Sequence, residues 1–584
     1  MLGAYLTASL APHLSRWAGA PIGFWGGVFL SAAVVGAVGV VFEVLVLRRI
    51  YKVPELYQML ATFAVVLIVA DVVVLLFGRE DIFGMRAPGL GGSVLLLGRR
   101  FPAYDLFLIP AGPVLLLLLQ GLLRLTRFGV MIRAATHDRE MAGALGINQA
   151  VLFTATLFLG AFLAGLGGAL QTPRLPANPQ MDIAVVTECF VVTVIGGMGS
   201  IPGAFVAALL IGQLQAFGIL ILPKITIVLV FLLMAVVLVV RPWGLFGKPE
   251  ALADQAPAVL AATRTTRLWP YLVGILLLVC LPAVVDDYTL KSTTELMVAA
   301  LFAVSLMFIV GPGGLVSFGH AAYFGLGAYG AALVFKKLGA PMELALCAAP
   351  LVAMLGAAAF GLFVVRLQGV YLAMLSLAVA QIVYAVAYQW TDFTGGDNGM
   401  IGLWPSGWAT GLTAYYLLTL AVVGTSVLAI RHLVAAPLGA TLAATRDSPS
   451  RAAAVGISVY WHRWLAFTIA GTAAGMAGGL QAFMNGSVDP TLLSVEKSVD
   501  GLVMLLLGGL EGVAAPLLGA ATFHYLRSEL IAWSDEWRLL LGVAILTIII
   551  LFPRGLVVML RELLTRLLRA RRGSNARHTP PVAT

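Results

Sequence analysis

Charge is what this sequence has least of. Only 11% of its 584 residues are Asp, Glu, Lys or Arg, against 60% hydrophobic, whereas a soluble domain carries about 25% charged residues. So few charges cannot cover a water-facing surface at this length. Cysteine is scarce too. Cys189, Cys280 and Cys347 lie in apolar stretches with no paired spacing, which predicts small buried core residues rather than disulfides. No two metal ligands share helical spacing in one segment, so no metal site is expected. A phosphate-cradling loop needs G-x-x-x-x-G-K-[ST]. Lys–Ser occurs only at Lys291-Ser292 and Lys497-Ser498, and neither Lys follows a Gly. The chain therefore carries no nucleotide site of its own, needs no cofactor and is not expected to be an enzyme. Met1-Leu-Gly-Ala-Tyr has no basic n-region, so no cleavable signal peptide is predicted.

What is abundant is long apolar runs. Val65–Phe77, Val151–Leu170, Ile225–Val240 and Leu540–Phe552 with its flanks are examples. About 20 apolar residues cross a bilayer as a helix, and helices satisfy their own backbone groups in lipid. The alternation of a membrane β-barrel is missing. The length rule predicts about 16 to 18 spans, and so an all-α, polytopic transmembrane helical bundle.

The net charge of +9 is explained by the membrane rather than by nucleic acid, because Lys and Arg cluster at the ends of apolar runs as the positive-inside rule requires. The clusters are Arg48, Arg49 and Lys52; Arg124, Arg127, Arg133 and Arg139; Arg264 and Arg267; Arg431, Arg446, Arg451 and Arg463; and the tail from Arg561 to Arg577. These are placed in the cytoplasm. The loops around Arg79–Pro102, Asp286–Lys291, Thr391–Gly411 and Asn485–Lys497 go to the far side, where Lys336 and Lys337 also fall, against the rule.

The chain is a repeat. Gly129–Ile147 (GVMIRAATHDREMAGALGI) matches Gly439–Ile457 (GATLAATRDSPSRAAAVGI), equally long, with a one-residue slip inside. LGGALQ (Leu166–Gln171) then pairs with MAGGLQ (Met476–Gln481), IGGMGS (Ile195–Ser200) with LGGLEG (Leu507–Gly512), and RPWGLFG (Arg241–Gly247) with FPRGL (Phe552–Leu556). The order is the same in both halves and the offset stays between 309 and 312. Duplicated halves are common in transporters, with the pathway at their interface. The divisions are a first half at 1–247, a cytoplasmic linker at 248–267, a second half at 268–560 and a basic cytoplasmic tail at 561–584. The LGAY at Leu2–Tyr5 pairs with Leu326–Tyr329, and the second half has two further spans ahead of that point, Tyr271–Val285 and Glu295–Val310. The expectation is that two helices are missing upstream of Met1.

These motifs, taken in order, resemble the permeases of the branched-chain amino acid class of ABC importers, which uses two homologous membrane subunits. The first half resembles one through GALGI, GGMGSIPGA and RPWGLFG. The second resembles the other through SFGHAAYFGLGAY (Ser317–Tyr329), RLQGVYLAMLSLA (Arg366–Ala378), TGGDNGM (Thr394–Met400), AAAVGI and FPRGL. The second half departs from GGxGS at Glu511, and Pro312 sits ahead of SFGHA.

The resemblance implies a fused permease of a bacterial inner-membrane importer. It implies two ATP-binding cassette subunits, a periplasmic or lipid-anchored substrate-binding protein, membrane lipid and a small-molecule substrate as partners, and no nucleic acid. The substrate is expected to be a branched-chain amino acid, or a related small polar solute such as urea or a short amide. The family passes force through a short cytoplasmic helix, which needs charged ends, small residues and a Gly stop. Arg133, His137, Asp138, Arg139, Glu140 and Gly146 form one such segment, and Arg446, Asp447, Arg451 and Gly456 the other. Asp447 or Ser448 before Pro449 suits a helix start. Gly319 and His320 of SFGHA, and Thr394, Gly395, Gly396, Asp397 and Asn398 of TGGDNGM, are candidates for the substrate path or an outer gate. Asp71, Glu188, Glu295 and His320 are ionisable residues expected inside the membrane, and such residues are functional candidates. Glu43 beside Arg48 reads as a structural ion pair. The alternative reading is an ion-coupled secondary transporter, which accounts for duplicated halves and membrane carboxylates but not for two matched charged loops ending in Gly.

Overall fold

The computed structural model describes residues 1–51, 53–96, 98–221, 223–248, 269–552 and 555–561. The linker, apart from Lys248, and the basic tail beyond Arg561 lie outside the described residues. The first repeat runs α1 (Leu2–Ala18), α2 (Ala20–Phe42), α3 (Glu55–Phe77), α4 (Ala103–Leu125), α5 (Arg127–His137), α6 (Arg139–Ala144), α7 (Gln149–Gln171), α8 (Met181–Gly196), α9 (Ile201–Ile221) and α10 (Thr226–Val240). The second opens with α11 (Trp269–Cys280) and α12 (Asp287–Val310). It continues through α13 (Ala321–Lys337), α14 (Met342–Val364), α15 (Gly369–Gln389), α16 (Leu412–Ala435), α17 (Pro437–Asp447), α18 (Pro449–Ala454), α19 (Val459–Asn485), α20 (Val495–Gly508), α21 (Ala514–Trp533) and α22 (Trp537–Leu551). Each helix from α1 to α10 thus has its counterpart twelve labels later, and α11 and α12 have none among the described residues. Among the described residues, sheet is confined to two short antiparallel pairs, Ser93–Leu96 with Arg99–Pro102 and Met400–Ile401 with Ser487–Val488.

Nine helices among the described residues are long and apolar enough to cross a membrane, and four more apolar helices are shorter. This is fewer than the 16 to 18 spans that the sequence predicts. Glycine turns cut several apolar runs into pieces, as at Gly197 and Gly199 between α8 and α9. Other helices, such as α19, are long but rich in Gly, Ala and Thr.

The described residues form two compact units. One holds residues 1–190, 199–205 and 530–550; the other holds 191–198, 206–529 and the described residues from 551. The last helix of each repeat is therefore grouped with the opposite repeat. In the first unit, α22 packs on α3, where a Cβ on Gly542 would meet the Ala64 carbonyl oxygen at 2.6 Å. In the second, α10 packs on α15, the counterpart of α3.

Small residues set the tightest crossings, as expected where lipid supplies no hydrophobic drive between helices. In the first unit α1 crosses α7 with Gly3 against Gly165; a Cβ on Gly3 would lie 2.3 Å from the Gly165 oxygen. In the second unit α13 crosses α19 with Gly327 against Gly475, and the same test gives 2.1 Å. The LGAY pairing of the two repeats is thus also a pairing of helix contacts. The cysteines correct the sequence reading: all three are exposed on the chain rather than buried in its core. In a membrane protein an apolar residue is equally well placed facing lipid, so small and apolar does not imply buried in protein.

Glu511 relocates a turn. In the first repeat GGMGS bends with positive φ at Gly197 and Gly199, at 96° and 79°. The second repeat keeps the first of these at Gly509 (108°), but Glu511 occupies the place of Gly199 and the left-handed residue moves on to Gly512 (80°). A side chain with a Cβ disfavours that region by about 1–2 kcal/mol.

Candidate functional site

The two sequence-predicted coupling segments have the same local structure. α5 and α17 are each 11 residues long, and α6 and α18 each 6. Asp138 and Ser448 hold extended backbone between the paired helices. Asp138 accepts from the Met141 N–H at 2.9 Å, capping α6. At α18, Pro449 fills the first position, where a missing N–H costs nothing. Both short helices stop at a left-handed glycine, Gly146 at φ 84° and Gly456 at 87°. The Ile147 and Ile457 N–H groups then reach back to the carbonyls of Ala142 and Ala452, at 3.2 and 3.1 Å. Such bonds satisfy carbonyls that a helix end leaves open.

The charged residues in these segments divide by task. Arg133 donates through Nη1 to the Leu123 carbonyl, tying α5 to α4. Arg139, though exposed, stacks on a ring: its guanidinium lies 4.7 Å from the Phe153 ring centroid, and Nε donates to Gln149 at 3.0 Å. Arg446 and Asp447 pair at 2.8 Å. His137, Glu140 and Arg451 are exposed. The sequence reading missed the apolar tips. Met141 is 58% exposed, Leu145 75% and Val455 77%, with Leu145 and Val455 each directly before the terminal glycine. The signal was present in the sequence as the matched ALG and AVG, and was read only as helix-ending.

The transport-path candidates fall into two separately held groups. Gly319 and His320 lie in the non-helical stretch between α12 and α13. Ser305 Oγ donates to the Phe302 carbonyl at 2.7 Å and therefore accepts from His320 Nε2 at 2.8 Å. A Cβ on Gly319 would lie 1.9 Å from the Ser376 oxygen, so α15 leaves room for glycine alone. In TGGDNGM, the buried Thr394 hydroxyl is within 2.7 Å of the carbonyls of both Ala387 and Trp390. Gly395 and Gly396 are left-handed, at φ 83° and 62°. Asp397 and Asn398 are exposed at the tip of the turn. Lys337 reaches the same loop, donating to the Asp392 carbonyl at 3.0 Å, which accounts for a lysine on that side.

The membrane carboxylates are largely engaged. Glu43 pairs with Arg48 at 3.1 Å and accepts from Thr154 at 2.7 Å, as the structural reading expects. Asp71 accepts from the Leu539 N–H at 2.8 Å. Glu188 has an interaction partner, and Glu295 lies within electrostatic reach of Lys497 and His524.

The family model described as branched-chain amino acid transport system / permease component matches residues 1–240 and again 288–551. The chain belongs to this family. The two matches put one permease domain in each repeat. The chain is 29% identical over 333 residues to the high-affinity branched-chain amino acid transport system permease protein LivM of Escherichia coli, covering 52% of this chain and 78% of that protein. It is 35% identical over 127 residues to the permease protein BraD of Pseudomonas aeruginosa, covering 21% of this chain and 41% of that protein. It is also 35% identical over 130 residues to the permease protein LivH of Escherichia coli, covering 22% and 42%. No solved structure matches. The chain is accordingly a multi-pass membrane permease component with two permease domains fused in one polypeptide.

Proposed function

We propose that this permease forms the membrane path of an ABC importer in a bacterial inner membrane, moving branched-chain amino acids handed over by a periplasmic or lipid-anchored binding protein. Two separate ATP-binding cassette subunits supply the energy, one docking on α6 and the other on α18. The observation that carries this reading is the matched pair of exposed helix ends. Each presents a bare apolar residue, Leu145 or Val455, ahead of a left-handed glycine and just after a short helix that carries an exposed charge, Glu140 or Arg451. An apolar anchor with a polar rim is what a protein partner buries. An ion-coupled mechanism would use carboxylates free to bind a cation, and Asp71 and Glu43 are instead committed to hydrogen bonds within the fold. The substrate follows from the branched-chain amino acid transport that LivM, LivH and BraD are named for. A related solute such as urea or a short amide is the competing cargo.

Co-purification with co-expressed ATP-binding cassette subunits tests the docking. The double variant Leu145→Asp, Val455→Asp is expected to fold, since both side chains are exposed, and to lose ATPase association by about tenfold or more, the weight of one buried anchor. Retention of wild-type association would contradict the assigned docking helices.

A further inference from the structure

Residues 311–320 form non-helical backbone between two helices of a membrane-spanning chain. Such backbone persists only where its polar groups are satisfied inside the protein. Here several of them find partners at two ends. At the α13 end three serines from three helices accept. The Phe318 N–H donates to Ser376 and the Ala321 N–H to Ser498, both at 3.0 Å, and His320 donates to Ser305. All three serines are buried. At the α12 end the Gly311, Gly314 and Leu315 N–H groups return to the Met307, Val310 and Ile309 carbonyls, and Arg446 Nη1 donates to the Gly311 carbonyl at 2.7 Å. Its stem fills the space over Gly314, where a Cβ would come within 2.4 Å of the Arg446 Cγ.

Arg446 is three residues ahead of Pro449, the first residue of α18. Asp447 Oδ1 receives both Nε and Nη2 of Arg446 at 2.8 Å, which fixes the guanidinium and leaves Nη1 aimed at Gly311. At the matching position of α5, Thr136 donates its hydroxyl to the Ile132 and Arg133 carbonyls of its own helix.

We propose that Arg446 is a positioning residue that carries displacement of α18 to the Gly311 turn, and so into the broken segment held at its other end by Ser305, Ser376 and Ser498. The relay rests on the reading of α18 as an ATPase-docking helix. Through it the second repeat pulls on a helix break by way of a charged hydrogen bond.

The test reconstitutes the full chain with its ATPases and binding protein, and measures substrate moved per ATP hydrolysed. Arg446→Met keeps the stem and removes every donor; this ratio is expected to fall about tenfold, within the usual range of coupling between sites. Arg446→Lys keeps one donor and is expected to restore part of it. A purely structural residue would change the yield of folded protein and leave the ratio alone. If Arg446→Met does not assemble, Asp447→Ala, which removes the acceptor that fixes the guanidinium at an exposed position, decides by the same ratio and is expected to lower it. A wild-type ratio in Arg446→Met, or in Asp447→Ala where that variant decides, overturns the relay. A wild-type chain showing no ATP-dependent transport overturns the importer reading beneath it, a separate and recognisable result.

Discussion

The Asp71 carboxylate and the Leu539 backbone N–H are 2.8 Å apart, though 468 positions separate them in sequence. Leu539 is the third residue of α22, where a helix leaves an N–H without an intrahelical partner. A side chain from α3, in the first repeat, therefore caps the final helix of the second. Asp71→Ala is expected to destabilise the fold by about 1 kcal/mol, the usual cost of losing a cap. Asp71→Asn keeps an acceptor and is expected to lose much less. Thermal unfolding in detergent checks this, and transport separates the roles: an ion-binding Asp71 would lose function on conversion to Asn, and a cap would not.

The crossing of α13 and α19 supplies a second prediction. A Cβ on Gly327 would lie 2.1 Å from the Gly475 oxygen, whereas Gly160 has nothing within 4 Å. Gly327→Ala is expected to cost about 1–3 kcal/mol, the range for overpacking a tight contact, and Gly160→Ala is expected to leave the unfolding midpoint essentially in place. The fraction of monodisperse protein after a heating series measures both.

The displaced turn at Glu511 can be tested by substitution at its neighbour. Gly512 carries φ 80° and meets no crowding atom, so the cost of Gly512→Ala is conformational alone, about 1–2 kcal/mol. In the variant Glu511→Gly, Gly512→Ala the left-handed position returns to residue 511, as in the first repeat, and stability is expected to recover. Thermal unfolding of the single and double variants decides it.

Much of this architecture was legible in the sequence. Gly146 and Gly456 announced matched helix ends because left-handed backbone favours glycine, and Pro449 announced the start of α18 because the first turn tolerates proline. The repeat was legible because its register persisted from the GALGI loop to RPWGLFG. The stacking of Arg139 on Phe153 was not, since a charged residue at a loop reads the same whether or not it also lies over a ring. Nor was the burial of Asp71 against Leu539, because pairing over that separation leaves no local pattern. The exposure of Cys189, Cys280 and Cys347 was misread because lipid and protein interior select the same side chains.

The outer turn offers a fourth prediction. Asp397 is exposed beside glycines that the turn itself requires. If the binding protein lands there, Asp397→Lys is expected to weaken its stimulation of uptake about tenfold, as a like-charge contact at an interface does, with no change in the unfolding midpoint. Thr394→Val, by contrast, removes a buried hydrogen bond and is expected to cost about 1 kcal/mol of stability. The two readouts separate a docking surface from a folding element.

The most direct test of the importer reading is uptake of labelled leucine into proteoliposomes holding the chain with its two ATPases. ATP is placed on the side of α6 and α18, and the binding protein on the other. The account predicts accumulation that requires both ATP and the binding protein and survives collapse of proton and sodium gradients. Uptake driven by an ion gradient without ATP would contradict it.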